Sequence, residues 1–401
     1  MLFSGLKDAR GLFLVLSTLT GLIGSFVYPL MSLFLVQQLD SPPIFIGIYT
    51  VSVTIAGLIF SQWLGYLADR GVSARKMFML AVSGMGFALL IYANATSFWQ
   101  VLAAGIVLLS VGNAAVPQML TIARQWAERE KNVDIAGFNA SLRAAISLAW
   151  IVGPPLGFAL AASVGFSGSF YLAAICAVVS FLFAYRFIPE VDTCLNRSKA
   201  ATPNKISASF WMLGLALTLG ASGNILYSSS LPLYTIRELG FDNYTPGLFM
   251  GLVACLEIPV MLFSSRLSRR ISKTKLIGIS FICGMFFYTG IFFSTQVWQF
   301  IALQFVNALF YGLFAGVGLT LLQEELPERI GFTSAFYSNS IKIGMMIGTT
   351  GTGIIGQFLS FRHVSLGAFT TAFMASVCLI LYWHLKKSQP QTHIETDEIR
   401  G

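Results

Sequence analysis

Apolar residues run along this chain in long blocks separated by short polar breaks, without the strict alternation of exposed strands. Twelve blocks can be drawn, at 11–36, 45–67, 77–94, 98–122, 135–160, 168–187, 208–235, 246–266, 276–294, 297–322, 331–359 and 365–385. Each is near the ~20 residues that a helix rising 1.5 Å per residue needs to cross a bilayer core. Their length and continuity predict helices, because barrel strands are about half as long and alternate. The predicted fold class is all-α integral membrane, with twelve transmembrane helices.

Composition agrees. The chain has 401 residues, of which 56% are hydrophobic and only 10% charged, well below the charged share of a soluble domain. The 37 glycines and 35 phenylalanines fit helices packed closely in lipid. In a soluble protein the net charge of +8 would point to nucleic acid; here its placement points to topology, and no nucleic-acid partner is expected. With both termini cytoplasmic, 21 of the 25 basic residues fall inside, Arg237 and Arg362 fall outside, and Arg143 and Lys342 lie within spans. The positive-inside rule therefore predicts N-in, C-in. The cysteines Cys176, Cys194, Cys255, Cys283 and Cys378 are scattered without metal or redox spacing and are read as unpaired thiols. The first apolar run is too long for a cleavable signal. No cofactor and no metal are expected.

The second half echoes the first at an offset near 199. Trp99-Gln100 recurs as Trp298-Gln299, Ser141-Leu142-Arg143 as Ser340-Ile341-Lys342, and Gly157 as Gly356. The segment 32–39 is echoed at 232–239. A common offset over several helices predicts two six-helix bundles in parallel repeat, 1–188 and 208–388. The polar stretch 189–207 is read as a cytoplasmic linker and 389–401 as a disordered tail.

Three long-chain charges lie deep in the predicted spans. An arginine at the bilayer centre costs roughly 2.5–3.5 kcal/mol on insertion scales and cannot shed its proton. Arg143 lies ~12 Å from the cytoplasmic start of its span, Glu257 about 13–14 Å and Lys342 ~16 Å. We expect Arg143 and Glu257 to pair, or to share a cavity, in at least one transport state, with Lys342 competing for Glu257. A static ion pair retained for assembly is the competing reading. Other polar residues form stripes: Asn139, Arg143 and Trp150; Gln304, Asn307 and Tyr311; Asn224, Tyr227 and Ser228; Asn339 and Lys342; Ser25 and Tyr28. Asn113 lies on the fourth span. Amides can exchange hydrogen bonds with sugar hydroxyls and aromatic rings can cover a pyranose face. For any single asparagine, an interhelix hydrogen bond is an equal alternative.

The loop after the second span reads GYLADRGVSARK at 65–76. Gly65, Asp69 and Arg70 there resemble the loop signature of the major facilitator superfamily, although Gly71 directly follows Arg70 and the basic pair is displaced. The resemblance implies that Asp69 and Arg70 gate the transport states. The repeat copy, SRLSRRISKTK at 265–275, has Arg269 in the place of Asp69 and keeps only the basic part. In the fifth span, Ala149-x-x-x-Gly153-Pro154-x-x-Gly157 resembles a second superfamily motif, often found in exporters. Gly153 and Gly157 offer a small face for a neighbouring helix, and Pro154 is expected to kink its own.

Longer segments are more specific. ARQWAERE at 123–130, SLRAAISLAWIVGPPLGFAL at 141–160 and GLVACLEIPVML at 251–262 resemble the bacterial sugar efflux transporter (Set) family over nearly the whole chain. That resemblance implies a multi-pass transporter of the bacterial inner membrane exporting mono- and disaccharides or glycoside analogues. The site residues above come from the stripes and not from the family. Proton coupling through Glu257 and a monomer are expected. An alternative is a multidrug or metabolite:proton antiporter of the same fold. An enzyme is not expected: there is no HExxH, no paired-aspartate motif and no Ser/His pair, and His363, His384 and His393 lie near span ends or in the tail.

Overall fold

Polar breaks between the apolar blocks become short turns between long helices. The computed structural model describes residues 9–69, 72–130, 135–188 and 206–388. Twelve helical rods follow in order: α1 Arg10–Gln38, α2 Ile44–Asp69, α3 Ala74–Ala93, α4 Phe98–Ala127, α5 Ile135–Val164, α6 Phe166–Phe187, α7 Ala208–Glu238, α8 Thr245–Leu267, α9 Lys273–Phe293, α10 Val297–Glu325, α11 Ile330–Phe358 and α12 Val364–Ser388. Among the described residues eleven are long and apolar enough to cross a membrane. The remaining one, α11, has the length, at 29 residues, but carries Asn339 and Lys342 on one exposed face and the buried Ser340 away from it. Arg70, Gly71, residues 189–205 of the linker and the tail lie outside the described residues, as do the side chains of Asp69, Asn139 and Arg143 and the surroundings of Gly65.

The repeat extends to backbone detail. α1 ends in a π-helical segment, Phe34–Gln38, and α7 in another, Leu233–Glu238. The second is one residue longer, which moves the offset from 199 to 200. Accordingly Asp40 and Gly240 hold equivalent left-handed positions, at φ 46° and 70°, and turn the chain into the next helix. Asp tolerates that region better than most side chains, and Gly does so freely.

Prolines act differently in different helices. α5 runs unbroken through Pro154 and Pro155, so the expected kink is not a break in its helical assignment. In α4, Pro117 has no N–H to offer the carbonyl of Asn113, and the helix is interrupted by a turn at Asn113–Ala114. A π segment, Gly105–Leu109, precedes that turn, whereas the repeat-equivalent α10 is continuous.

Two hydrophobic cores form, one from Phe13 to Ile188 and one built mainly from residues 210–382. The second also takes in Leu30, Leu33, Val36, Ile46 and Phe158 from the first half. These five lie towards the end of the bundle that carries the Asp40 and Gly240 turns. At the opposite end, Ser209 at the start of α7 donates to Glu325 at the end of α10, 3.3 Å away, and Tyr382 on α12 donates to the same carboxylate at 2.7 Å. The halves are therefore packed together at the end away from the starts of α1 and α7.

Candidate functional site

Glycine makes the seam between halves. A β-carbon on Gly251 of α8 would stand 2.5 Å from Pro155 Cγ, and one on Gly247 would stand 2.9 Å from both Phe158 Cβ and the Pro154 carbonyl oxygen. Across the other seam, a β-carbon on Gly47 of α2 would meet Thr350 Cα at 2.8 Å, and one on Gly353 of α11 would meet the Pro43 oxygen at 2.7 Å. Backbones this close shut both of these seams at that end. The proline also contributes: Pro155 leaves the Ile151 carbonyl without its helical donor, and that oxygen faces Gly251. Meanwhile Gly153 and Gly157 turn to α1, where a β-carbon on Gly153 would collide with Ser25 Oγ at 1.9 Å and one on Gly157 would press Phe26 at 3.3 Å. One motif thus serves two contacts, glycines within the half and prolines across the seam.

Towards the other end the same helix faces carry polar side chains. Asn339 and Lys342 lie eleven residues, three turns, before Thr350 and Gly353 on one face of α11. Both are exposed, and Lys342 has no ion pair with a described side chain. A lysine on the seam face cannot lie against lipid at that depth without severe cost, so this face borders water. Glu257 on α8 is half-buried, has no hydrogen bond or ion pair with a described side chain, and lies within electrostatic range of Tyr311 on α10. Tyr311 in turn lies within range of Tyr337 on α11. Asn224 on α7 is half-buried and forms no hydrogen bond with a described side chain. Trp150 on α5 is 39% exposed. Arg143 occupies the position eleven residues before Pro154.

The first helix of each half bonds to the fourth through a tyrosine. Tyr28 donates to Asn113 Oδ1 at 2.8 Å, at the interruption of α4. Tyr227, its counterpart at offset 199, accepts from Gln304 Nε2 on α10 at 3.0 Å. The surroundings differ sharply. Tyr28 is 42% exposed and Asn113 is exposed, whereas Tyr227, Gln304 and Asn307 are buried. Gln304 also donates to the Phe300 carbonyl at 3.1 Å and accepts from Asn307 Nδ2 at 3.1 Å, leaving Asn307 Oδ1 without a partner. In this state the α10 stripe is held inside its own half.

Other groups escaped the stripe reading. Tyr49 and Tyr92 share a hydroxyl hydrogen bond of 2.8 Å behind Tyr28, and Tyr288 is fully buried beside Tyr227 with its hydroxyl unpartnered. Lone hydroxyls in otherwise apolar runs were their only signal. The seam glycines Gly47, Gly247, Gly251 and Gly353 gave none, because glycine is common throughout these helices.

The model of the Major Facilitator Superfamily matches residues 13–295 and 273–400. Sugar efflux transporter A of Dickeya chrysanthemi is 32% identical over 396 residues, covering 96% of this chain and 100% of that protein. The chain belongs to the major facilitator superfamily, in its sugar efflux transporter family. Sugar efflux transporter C of Escherichia coli (strain K12) is 31% identical over 374 residues, covering 92% of this chain and 94% of that one. In fold the chain resembles the nucleoside transporter NupG, at TM-score 0.77 and 13% identity over 95% of this chain and all of that one. It also resembles a bacterial homologue of the lysosomal transporter Spinster in an inward-facing, unoccupied conformation, at TM-score 0.79 and 12% identity, covering 94% and 96% of the two chains. Membership of this family makes the chain a multi-pass membrane transporter, as the bacterial relatives and the apolar helices agree.

Proposed function

We propose that this transporter exports mono- or disaccharides, or glycoside analogues, across the bacterial inner membrane by alternating access coupled to protons. The observation that carries the reading is the full-length relationship to proteins named as sugar efflux transporters. The geometry supports it: a seam shut by glycines at one end, and polar groups at mid-depth on the faces that diverge from it. With both termini cytoplasmic, as the basic residues indicate, the shut end is periplasmic and the cavity opens inwards. The bundles 1–188 and 208–388 rock about a central site, joined by the linker 189–207, and the protein acts as a monomer.

In this reading Tyr28, Asn113, Asn139, Trp150, Asn224 and Asn339 meet sugar hydroxyls and ring faces, while Tyr311 and, in a transport state that opens the sealed stripe, Tyr227, Gln304 and Asn307 form the second wall. Arg143 and Lys342 compete for Glu257, which carries the proton. Asp69 and Arg70 gate the cytoplasmic end. The test is uptake and efflux of a panel of labelled sugars in everted and right-side-out vesicles. Gradient-dependent sugar movement supports the reading. No sugar movement, with export of cationic dyes instead, replaces it with a drug:proton antiporter.

A further inference from the structure

Charge is distributed unevenly between the two repeats at the end where α7 begins. The turn between α8 and α9 reads SRLSRRISKTK at 265–275, with five basic residues and no acid. Its repeat counterpart at 65–76 contains Asp69. Around the second turn the described acidic side chains at the end of α10 are already engaged. Glu324 is 2.5 Å from Lys273, and Glu325, almost buried, takes Lys386 together with Tyr382 and Ser209. Arg266, Arg269, Arg270 and Lys275 are exposed and have no ion pair or hydrogen bond with a described side chain. Lys387 is exposed too, and its contact is with the ring of Trp383, 5.5 Å from the centroid.

Depth places these charges at the membrane surface. α9 packs antiparallel to α12, with Gly278 against Leu379, so Lys275 stands level with the Tyr382 turn. The neighbouring Trp383 is 50% exposed, and an exposed tryptophan near the end of a spanning helix marks the headgroup layer. The first turn of α9 holds no acidic residue to offset its lysines. Cations on a short turn at that depth, without an ionic partner among the described side chains, carry a charge that no described carboxylate neutralises.

We propose that the α8–α9 turn and the adjoining end of α12 form a docking surface for anionic phospholipid headgroups, with Arg266, Arg269, Arg270, Lys275 and Lys387 supplying the charge. Guanidinium groups bind phosphate oxygens in a fork and lysines add point charge. Each cation near an anionic surface strengthens binding by about fivefold. The surface belongs to the second half alone, because the first-half turn has an acid of its own. It is independent of the transported substrate.

The test uses the full-length protein in neutral detergent, titrated with dispersed phosphatidylglycerol or phosphatidylcholine and read by retained lipid in native mass spectrometry. The wild type is expected to prefer phosphatidylglycerol and to lose that preference as salt is raised. The triple variant R269Q/R270Q/K275Q is expected to bind phosphatidylglycerol at least about fivefold more weakly, with phosphatidylcholine unchanged. Arg237→Gln, at the other end, should leave both unchanged. Equal wild-type binding of the two lipids, or an unaltered preference in the triple variant, overturns the proposal. So does binding of inorganic phosphate at these residues without binding of the lipid. The salt series on the wild type decides the matter even where the variant fails to fold.

Discussion

Glu257 has no hydrogen-bonded or ionic partner among the described side chains, though it lies deep in a span beside Tyr311. Its position was legible, because a carboxyl inside LVACLEIPVML has no reason to be there as packing. Its surroundings were not, because Tyr311 reaches it from α10, more than fifty residues along the chain, and Tyr337 of α11 in turn neighbours Tyr311. Under the proposed mechanism, Glu257→Gln lowers proton-driven sugar efflux roughly tenfold or more, on the scale of an ordinary coupling free energy. Sugar exchange without a gradient persists. Unaltered gradient dependence in vesicle flux would remove Glu257 from the coupling role. Gln304 shows the opposite limit of sequence reading. Its stripe marks it as polar and facing inwards, but only the fold reveals that Tyr227, Phe300 and Asn307 engage it. Gln304→Leu strands the Asn307 amide as a buried, unpaired group, and should cost about 1–3 kcal/mol in thermal unfolding followed in detergent. Full stability with lost transport would remove the packing role and leave Gln304 its place in the ligand wall alone.

Helices were legible from their apolar length, including α11, whose polar face keeps its mean hydropathy low. Backbone irregularities were less so. The π segments ending α1 and α7 have no distinctive composition, and the interruption of α4 follows from Pro117 only once the helix is known to continue past it. Pro154 and Pro155 carry the same residue type into α5 without breaking it, and they abut Gly247 and Gly251 of α8. The fit at Gly251 is tight enough to test. Gly251→Leu should wedge α8 from α5, since even a β-carbon meets Pro155 at 2.5 Å. In a Phe158→Cys background, labelling from the shut end by an impermeant maleimide should rise about tenfold with the wedge, for an overpacking cost of about 1–3 kcal/mol. An unchanged labelling rate would mean that this contact does not close the seam.

At the scale of the whole molecule, the two-fold repeat was visible as scattered identities and is carried into structure by matched helix endings and matched tyrosines. Its departures are the informative part. Tyr28 and Asn113 are open where Tyr227 and Gln304 are sealed, and one turn of charge has an acid where the other has none. Such asymmetry lets one half present polar groups while the other holds them, which sequence symmetry alone would not reveal. The most direct measurement is efflux of labelled mono- and disaccharides from everted and right-side-out vesicles, with and without an imposed proton gradient. Sugar is expected to move outward with respect to the cell, accelerated by the gradient and slowed by Glu257→Gln. Sugars that fail to move in either orientation, while cationic dyes are exported, would contradict the proposed function.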